Sequence, residues 1–320
     1  MSSSLDAPPP EASVDTEPIK AVPVRHYGRW VAGVVILFLA FIIVRSLITN
    51  DNLGWPVVWE YLFNDRVLRG LQNTLILTVI SMVIGVVGGV LLAVMRLSPN
   101  PLMKGAAGIY IWLFRGTPLL TQLVFWNFLA FAYPRLGLGI PFGPEFVSWD
   151  TNTLINQFTA SLLGLGLNEA AYMAEIVRGG IQSIDGGQLE AASALGMKRT
   201  TTLRRIILPQ AMRVIVPPTG NETIAMLKTT SLVVSIGYFE LMVAVQTIYA
   251  QNFKTIPLLL TAVIWYLFMT SILTIIQVQI EKRFARGSSR TVAEKNKWGS
   301  RMLGFRFGNG GGGQGGGGQP

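Results

Sequence analysis

The chain contains no cysteine. Disulfide staples and thiolate metal sites are excluded, and the redox state of its compartment leaves no trace in the sequence. There is one histidine, His26, beside Arg25. A single imidazole next to basic residues reads as structural, and it removes triads built on histidine and zinc sites built on paired histidines. Charge is scarce: Asp, Glu, Lys and Arg make up 13% of the chain, about half the roughly 25% of a soluble domain. No Gly-x-x-x-x-Gly-Lys-Ser/Thr run occurs, so no phosphate-cradling loop is present. No internal repeat stands out either. These absences leave no catalytic residue, no metal site and no cofactor to assign, and they argue against a membrane-bound enzyme.

What fills the space is apolar. Half of the residues are hydrophobic (50%) and they come in long blocks. The formal net charge of +9 does not gather beside stacking aromatics, as a nucleic-acid surface would require. It lies at the ends of the apolar blocks, where it reports membrane topology.

Residues 1–27 carry Pro8, Pro9, Pro10, Pro18 and Pro23 among Ser and acidic residues, and read as a disordered cytoplasmic tail. Residues 286–320 are basic and then almost pure Gly, a second flexible tail. Between them lie segments long enough to cross hydrocarbon, for which about 20 mostly apolar residues suffice. They are Trp30 to Leu47, Thr74 to Val94, Ala106 to Tyr133, Asn156 to Val177, Met212 to Ile236 and Ile256 to Ile280. The expectation is an all-α membrane protein of about six spanning helices. Gly85, Gly88 and Gly89 in the second span would let another helix approach closely.

Orientation follows from the basic residues of short loops. With the N-terminus inside, the inner segments hold Lys20, Arg25, Arg29, Arg96, Lys104, Lys198, Arg199, Arg204, Arg205 and Arg213, followed by the basic tail from Lys282. The outer loops mix Arg66, Arg69, Arg135 and Lys254 with Asp51, Glu60, Asp65, Glu145, Asp150 and Glu240. Both termini are therefore expected on the cytoplasmic side.

Three spans carry polar groups that lipid cannot solvate, so these must face protein or a wet cavity. Arg115-Gly-Thr-Pro118 interrupts the third span. Asn168, Tyr172 and Glu175 share one face of the fourth, with Glu169 beside them. Asn221, Ala225 and Lys228 share a face of the fifth, beside Glu222, and Pro217-Pro218 with Thr219 and Gly220 points to a broken helix there. Two readings stand. Arg115, Asn168, Glu169, Glu175, Asn221, Glu222 and Lys228 line a pathway for a solute bearing both charges, or they pair internally and hold helices together.

The connection between the fourth and fifth spans is unusual. Glu190 to Leu195 are helix formers apart from Ser193, and Gly196 is a natural stop. Pro209 fits the first turn of the next helix. A short helix with Ala on one side and a carboxylate at its start suits a groove in another protein. Its apolar face is too small for strong binding to lipid.

Glu190-Ala-Ala192, three residues, Gly196, nine residues and then Ile206-x-Leu208-Pro209 resembles the signature loop of permease subunits of binding-protein-dependent ABC importers. Tyr110-Ile-Trp-Leu-Phe-Arg115-Gly-Thr-Pro118, Tyr172-Met-Ala-Glu175-Ile-Val-Arg178 and Asn221-Glu-Thr-Ile-Ala-Met-Leu-Lys228 narrow the resemblance to the polar amino acid subfamily. The resemblance implies a five-helix MetI-like core over about residues 66–285, with residues 28–65 adding a helix and an outer loop. It implies that Glu190, Ala191, Ala192, Gly196, Leu208 and Pro209 form the contact with a separate ATPase, which binds the ATP and magnesium. The other implied partners are a second permease, the same or homologous, and an extracytoplasmic amino-acid-binding protein. The implied place is the bacterial cytoplasmic (inner) membrane. A self-sufficient secondary transporter or channel is the alternative, and it leaves the docking loop unexplained.

Overall fold

Helix starts in this chain are written in short polar side chains. Asn64, Asn100, Asp150, Asn156 and Asp185 each accept a backbone N–H two or three residues on. Each bond satisfies a donor that the first helical turn leaves open. The computed structural model describes residues 27–140 and 145–285. His26 and both terminal tails lie outside the described residues.

The chain divides into two compact units, Met1–Asn52 and Leu53–Pro320. The described part of the first holds the helix α1 (Tyr27–Thr49), apolar from Trp30 to Val44 and with no buried residue, as a lipid-facing helix requires. The second begins with the short helix α2 (Trp55–Leu62) and the long α3 (Asp65–Arg96). A broken pair follows, α4 (Pro101–Gly116) and α5 (Leu119–Asn127), and then the single turn α6 (Leu129–Ala132). Strands β1 (Arg135–Gly139) and β2 (Glu145–Asp150) form an antiparallel hairpin that leads into α7 (Thr151–Leu154) and the long α8 (Gln157–Gln182). Two short helices, α9 (Gly186–Ala194) and α10 (Arg199–Thr202), precede a π turn over Leu203–Ile207 and then α11 (Leu208–Thr229). A 3-10 stretch over Thr230–Ile236, α12 (Leu241–Asn252) and α13 (Thr255–Ala285) complete the unit.

By length and composition Tyr27–Thr49, Asp65–Arg96 and Thr255–Phe284 can each cross a bilayer. The pair Arg199–Ile236 and Leu241–Asn252, bent by 48°, adds a fourth if counted as one broken span. The other two expected spans do not qualify, one for length and one for polarity. The α4–α5 pair is split at Thr117-Pro118, and α8, though 26 residues long, carries Asn168, Glu169, Glu175 and Arg178.

The spine of the second unit is α3 against α8. The glycines of α3 open the space: Gly85 receives Glu169, Gly88 receives Ala170 and Gly89 receives Met173. In return Gly166 of α8 receives Ile84. Bare helix surfaces let the two backbones approach, and contact replaces the solvent-driven term that lipid does not supply. Three apolar clusters lie along this axis. One is built on Leu77, Leu123, Leu165 and Val233, a second on Val67, Leu241, Val245 and Leu258, and a third on Ala93, Met173, Ala211 and Ile215.

The expected helical membrane fold is what the structure shows, with one small addition, the hairpin of Arg135–Gly139 and Glu145–Asp150. Two expectations need correction. Helix α11 is not broken at Pro217-Pro218. The Thr219 hydroxyl donates to Ile215 O at 2.8 Å, and Gln277 of α13 reaches Pro217 O at 3.4 Å. The break comes later, where the 3-10 stretch ends at Gly237 with φ 73°, a left-handed conformation that glycine adopts without a Cβ clash. Finally, Glu240 is not a loop charge in water: it is fully buried. It caps α12 by accepting Val243 N–H at 2.9 Å, and it takes the hydroxyls of Tyr266 at 3.0 Å and Thr74 at 3.2 Å.

A Cβ on Gly89 would lie 2.9 Å from the Ala174 backbone nitrogen, whereas one on Gly105 meets nothing within 4 Å. Gly89→Ala is expected to cost about 1–3 kcal/mol by overpacking. Gly105→Ala is expected to be neutral or slightly stabilising. Thermal unfolding of the two variants in the same detergent checks this.

Candidate functional site

Pro118 lacks an N–H and forces Thr117 into extended backbone, at φ −114° and ψ 144°. Helix α4 therefore ends inside an apolar segment with open carbonyls, which lipid cannot satisfy. Two side-chain amides repair the end. Gln122 Nε2 donates to Phe114 O at 2.9 Å and lies 2.8 Å from Thr117 Oγ1. Asn168 Nδ2, from α8, donates to the same Phe114 O at 2.9 Å and to Gln122 Oε1 at 3.2 Å. Tyr110 donates its hydroxyl to Leu167 O at 2.8 Å. Asn168 is thus committed to holding the break, and the carbonyl it serves immediately precedes Arg115.

The charged groups surround that break. The Arg115 guanidinium sits over the Tyr172 ring, 5.0 Å from its centroid. Glu175 accepts Arg178 Nε at 3.1 Å one turn on, and Arg178 also donates to Gln182 Oε1 at 2.6 Å. Tyr172 stands one helical turn before Glu175 on α8, so the ring contact carries Arg115 to that face of the helix. Glu169 turns away from this group. It is buried against Gly85, 5% exposed, and its Oε1 has no hydrogen-bond partner.

Of the seven expected pathway residues, Arg115 and Asn168 meet at the break of α4, and Glu175 lies one turn beyond the Tyr172 ring that Arg115 covers. Asn221 is turned to α13, where Gln277 Nε2 donates to its side chain at 2.8 Å. Lys228 is exposed and makes no ion pair among the described residues. Gln122 escaped the sequence reading, and Arg178 entered it only as part of a motif, with no role. Gln122 was legible as the amide four residues beyond Pro118, and Arg178 as the basic residue three positions after Glu175. Below this group an apolar cleft of about 460 Å³ opens between α3, α8, α11 and α13, lined by Val90, Met173, Val177, Met212 and Ile215.

The connection from α8 to α11 projects as a short helix. Asp185 caps α9 through Gly187 N–H at 2.9 Å. At its other end Gly196 adopts φ 69°, with Gly196 N–H on Ser193 O and Met197 N–H on Ala192 O, both at 3.0 Å. This is the paired-bond stop that a left-handed glycine permits. Glu190, Ala191 and Gly196 are exposed, Leu195 is 80% exposed, and Ala192 alone points inward at 1%. Leu208 lines the cleft and Pro209 stands exposed in the first turn of α11.

Residues 85–286 match the model of the binding-protein-dependent transport system inner membrane components. The chain belongs to this family. The inner-membrane component is a transport subunit and not an enzyme, and the ATPase is a separate partner. The arginine transport system permease protein ArgU of Corynebacterium glutamicum is 48% identical over 295 residues, 92% of each chain. The glutamine transport system permease protein GlnP of Escherichia coli K12 is 33% identical over 72% of this chain and 96% of its own. A crystal structure of an amino acid ABC transporter with histidines superposes with a TM-score of 0.58 at 35% identity, covering 69% of this permease and 95% of that chain. The inward-facing MetNI methionine transporter shares the fold, with a TM-score of 0.53 at 19% identity.

Gln122 and Asn168 share one acceptor. Gln122→Leu and Asn168→Leu are each expected to destabilise this permease by about 1–3 kcal/mol. The pair is expected to be clearly non-additive in a double-mutant cycle of thermal unfolding.

Proposed function

We propose that this permease imports polar amino acids, driven by a separate ATPase that grips α9. The observation that carries this reading is the geometry of α9: capped at both ends, anchored through Ala192, and presenting Glu190, Ala191, Leu195 and Gly196 outward. Closure of the ATPases would push α9, which continues directly from α8. The push would then pass along the α3–α8 spine to the break that holds Arg115.

The finer points follow. Residues 66–285 form the permease domain, and about six spans place both termini in the bacterial cytoplasm. ATP and magnesium sit in the partner ATPase. Two permease subunits, of this chain or of a homologue, complete the pathway, and an extracytoplasmic binding protein delivers the solute. In the pathway Arg115 meets the substrate carboxylate, while Glu222 and Glu175 offer charge to its cationic groups. The relatives transport arginine and glutamine by name. The more similar of the two, ArgU at 48% identity, favours arginine and other cationic amino acids.

Proteoliposomes holding the permease with its ATPase and binding protein test this. Labelled arginine is expected to accumulate only with ATP, ahead of glutamine. Arg115→Ala is expected to lower uptake about tenfold, equivalent to about 1.4 kcal/mol, without loss of the assembled complex. Accumulation that persists without ATP and ATPase would make the chain a secondary transporter.

A further inference from the structure

The hairpin between α6 and α7 has two unlike faces. Arg135 lies opposite Asp150, Leu136 opposite Trp149, Gly137 opposite Ser148 and Leu138 opposite Val147. Opposed residues share a face, and neighbours along a strand alternate. One face is therefore Leu136, Leu138, Val147 and Trp149. The other is Arg135, Gly137, Ser148 and Asp150, with the Glu145 carboxylate folded over Gly137.

Only the root of the apolar face is covered. Leu136 packs against the core cluster of Leu129 and Ile155, while Leu138, Val147 and Trp149 continue outward with 66%, 48% and 44% exposure. A two-stranded hairpin is marginal in water by itself, so this one depends on whatever covers that face.

We propose that the cover is the bilayer surface. On this reading the hairpin lies flat on the membrane, with its apolar face in the boundary between headgroups and acyl chains and the Arg135–Asp150 face in water. Continuity selects this occupant. The hairpin starts just beyond α6, where the apolar segment that began with α4 ends. The residues before it, Phe128, Phe131 and Tyr133, are 51%, 85% and 59% exposed, and Phe128 and Phe131 pack ring to ring. Aromatic rings with one wet edge collect at this depth, and every charge of the hairpin is kept off the apolar face.

The root is tied to the helices on either side. Thr151 N–H donates to Pro134 O at 3.0 Å, and its hydroxyl donates to Tyr133 O. A hairpin held at the surface thus fixes the depth at which α6 ends and α8 begins. The proposal rests on the chain spanning a membrane, and on neither its substrate nor its orientation.

The natural absence of cysteine makes the test clean. Leu138→Cys and Ser148→Cys, each carrying a nitroxide label, are compared in nanodiscs of phosphatidylcholine and phosphatidylglycerol. Collision with oxygen reports lipid, and collision with a water-soluble nickel chelate reports water. The label at 138 is expected to favour oxygen severalfold over the label at 148, and to lose that preference in detergent-free water-soluble polymer only if lipid is stripped. Val147→Cys repeats the test on the same face should Leu138→Cys fold poorly. Equal access of nickel to both faces would overturn the proposal. So would shielding of position 138 from both reagents, whether constitutive, as a second copy would give, or only after the binding protein is added.

Discussion

Hydrocarbon accepts no hydrogen bond, and that single fact governs this fold. A helix may stop inside the apolar layer only if protein groups take over its loose backbone ends. The chain stops twice and repairs both stops. At Thr117-Pro118 the side-chain amides of Gln122 and Asn168 converge on Phe114 O. At Gly237 the repair comes from α3, where Asn73 Nδ2 donates to Phe239 O at 2.9 Å and the Thr74 hydroxyl accepts Leu241 N–H at 3.1 Å. Glu240 then caps α12 from within the core. Polar residues in these spans serve first as substitutes for water, and only those left over are free for a solute.

That division sorts the intramembrane residues. Asn168 is bound to the broken end of α4, and Asn221 to Gln277. Arg115 is carried on the repaired break itself, resting on Tyr172. The same helix that repairs the break, α8, lies along the glycine face of α3 and runs on through Asp185 into α9. A displacement of α9 therefore has a rigid route to Arg115, with Gly85 and Gly89 setting how tightly that route is packed.

Local chemistry was legible in the sequence. The glycines of α3, the stop at Gly196 and the short helix before it follow from residue type and spacing alone. Partnerships across the fold were not. Asn168 lies 54 residues from the carbonyl it serves, and its role is set by a neighbour that no local pattern names. Pro217-Pro218 pointed to a broken helix, yet side chains from α11 and α13 supply enough bonds to carry the helix through. Glu240 read as a surface charge because a carboxylate usually is one; its burial depends on Thr74 and Tyr266, distant in sequence. The hairpin was hidden by glycines at 137 and 139, which blur the alternation of its apolar residues.

The central claim is that α9 is where the ATPase takes hold. Affinity purification from mild detergent tests it most directly, comparing the wild type with a variant combining Glu190→Arg and Gly196→Trp. The first change reverses an exposed charge, and the second places a bulky side chain at a left-handed position. The account predicts that an ATPase subunit co-purifies with the wild type and is lost from the variant, while both elute as folded membrane protein. An ATPase retained by the folded variant, or a wild type that never captures one, would contradict it.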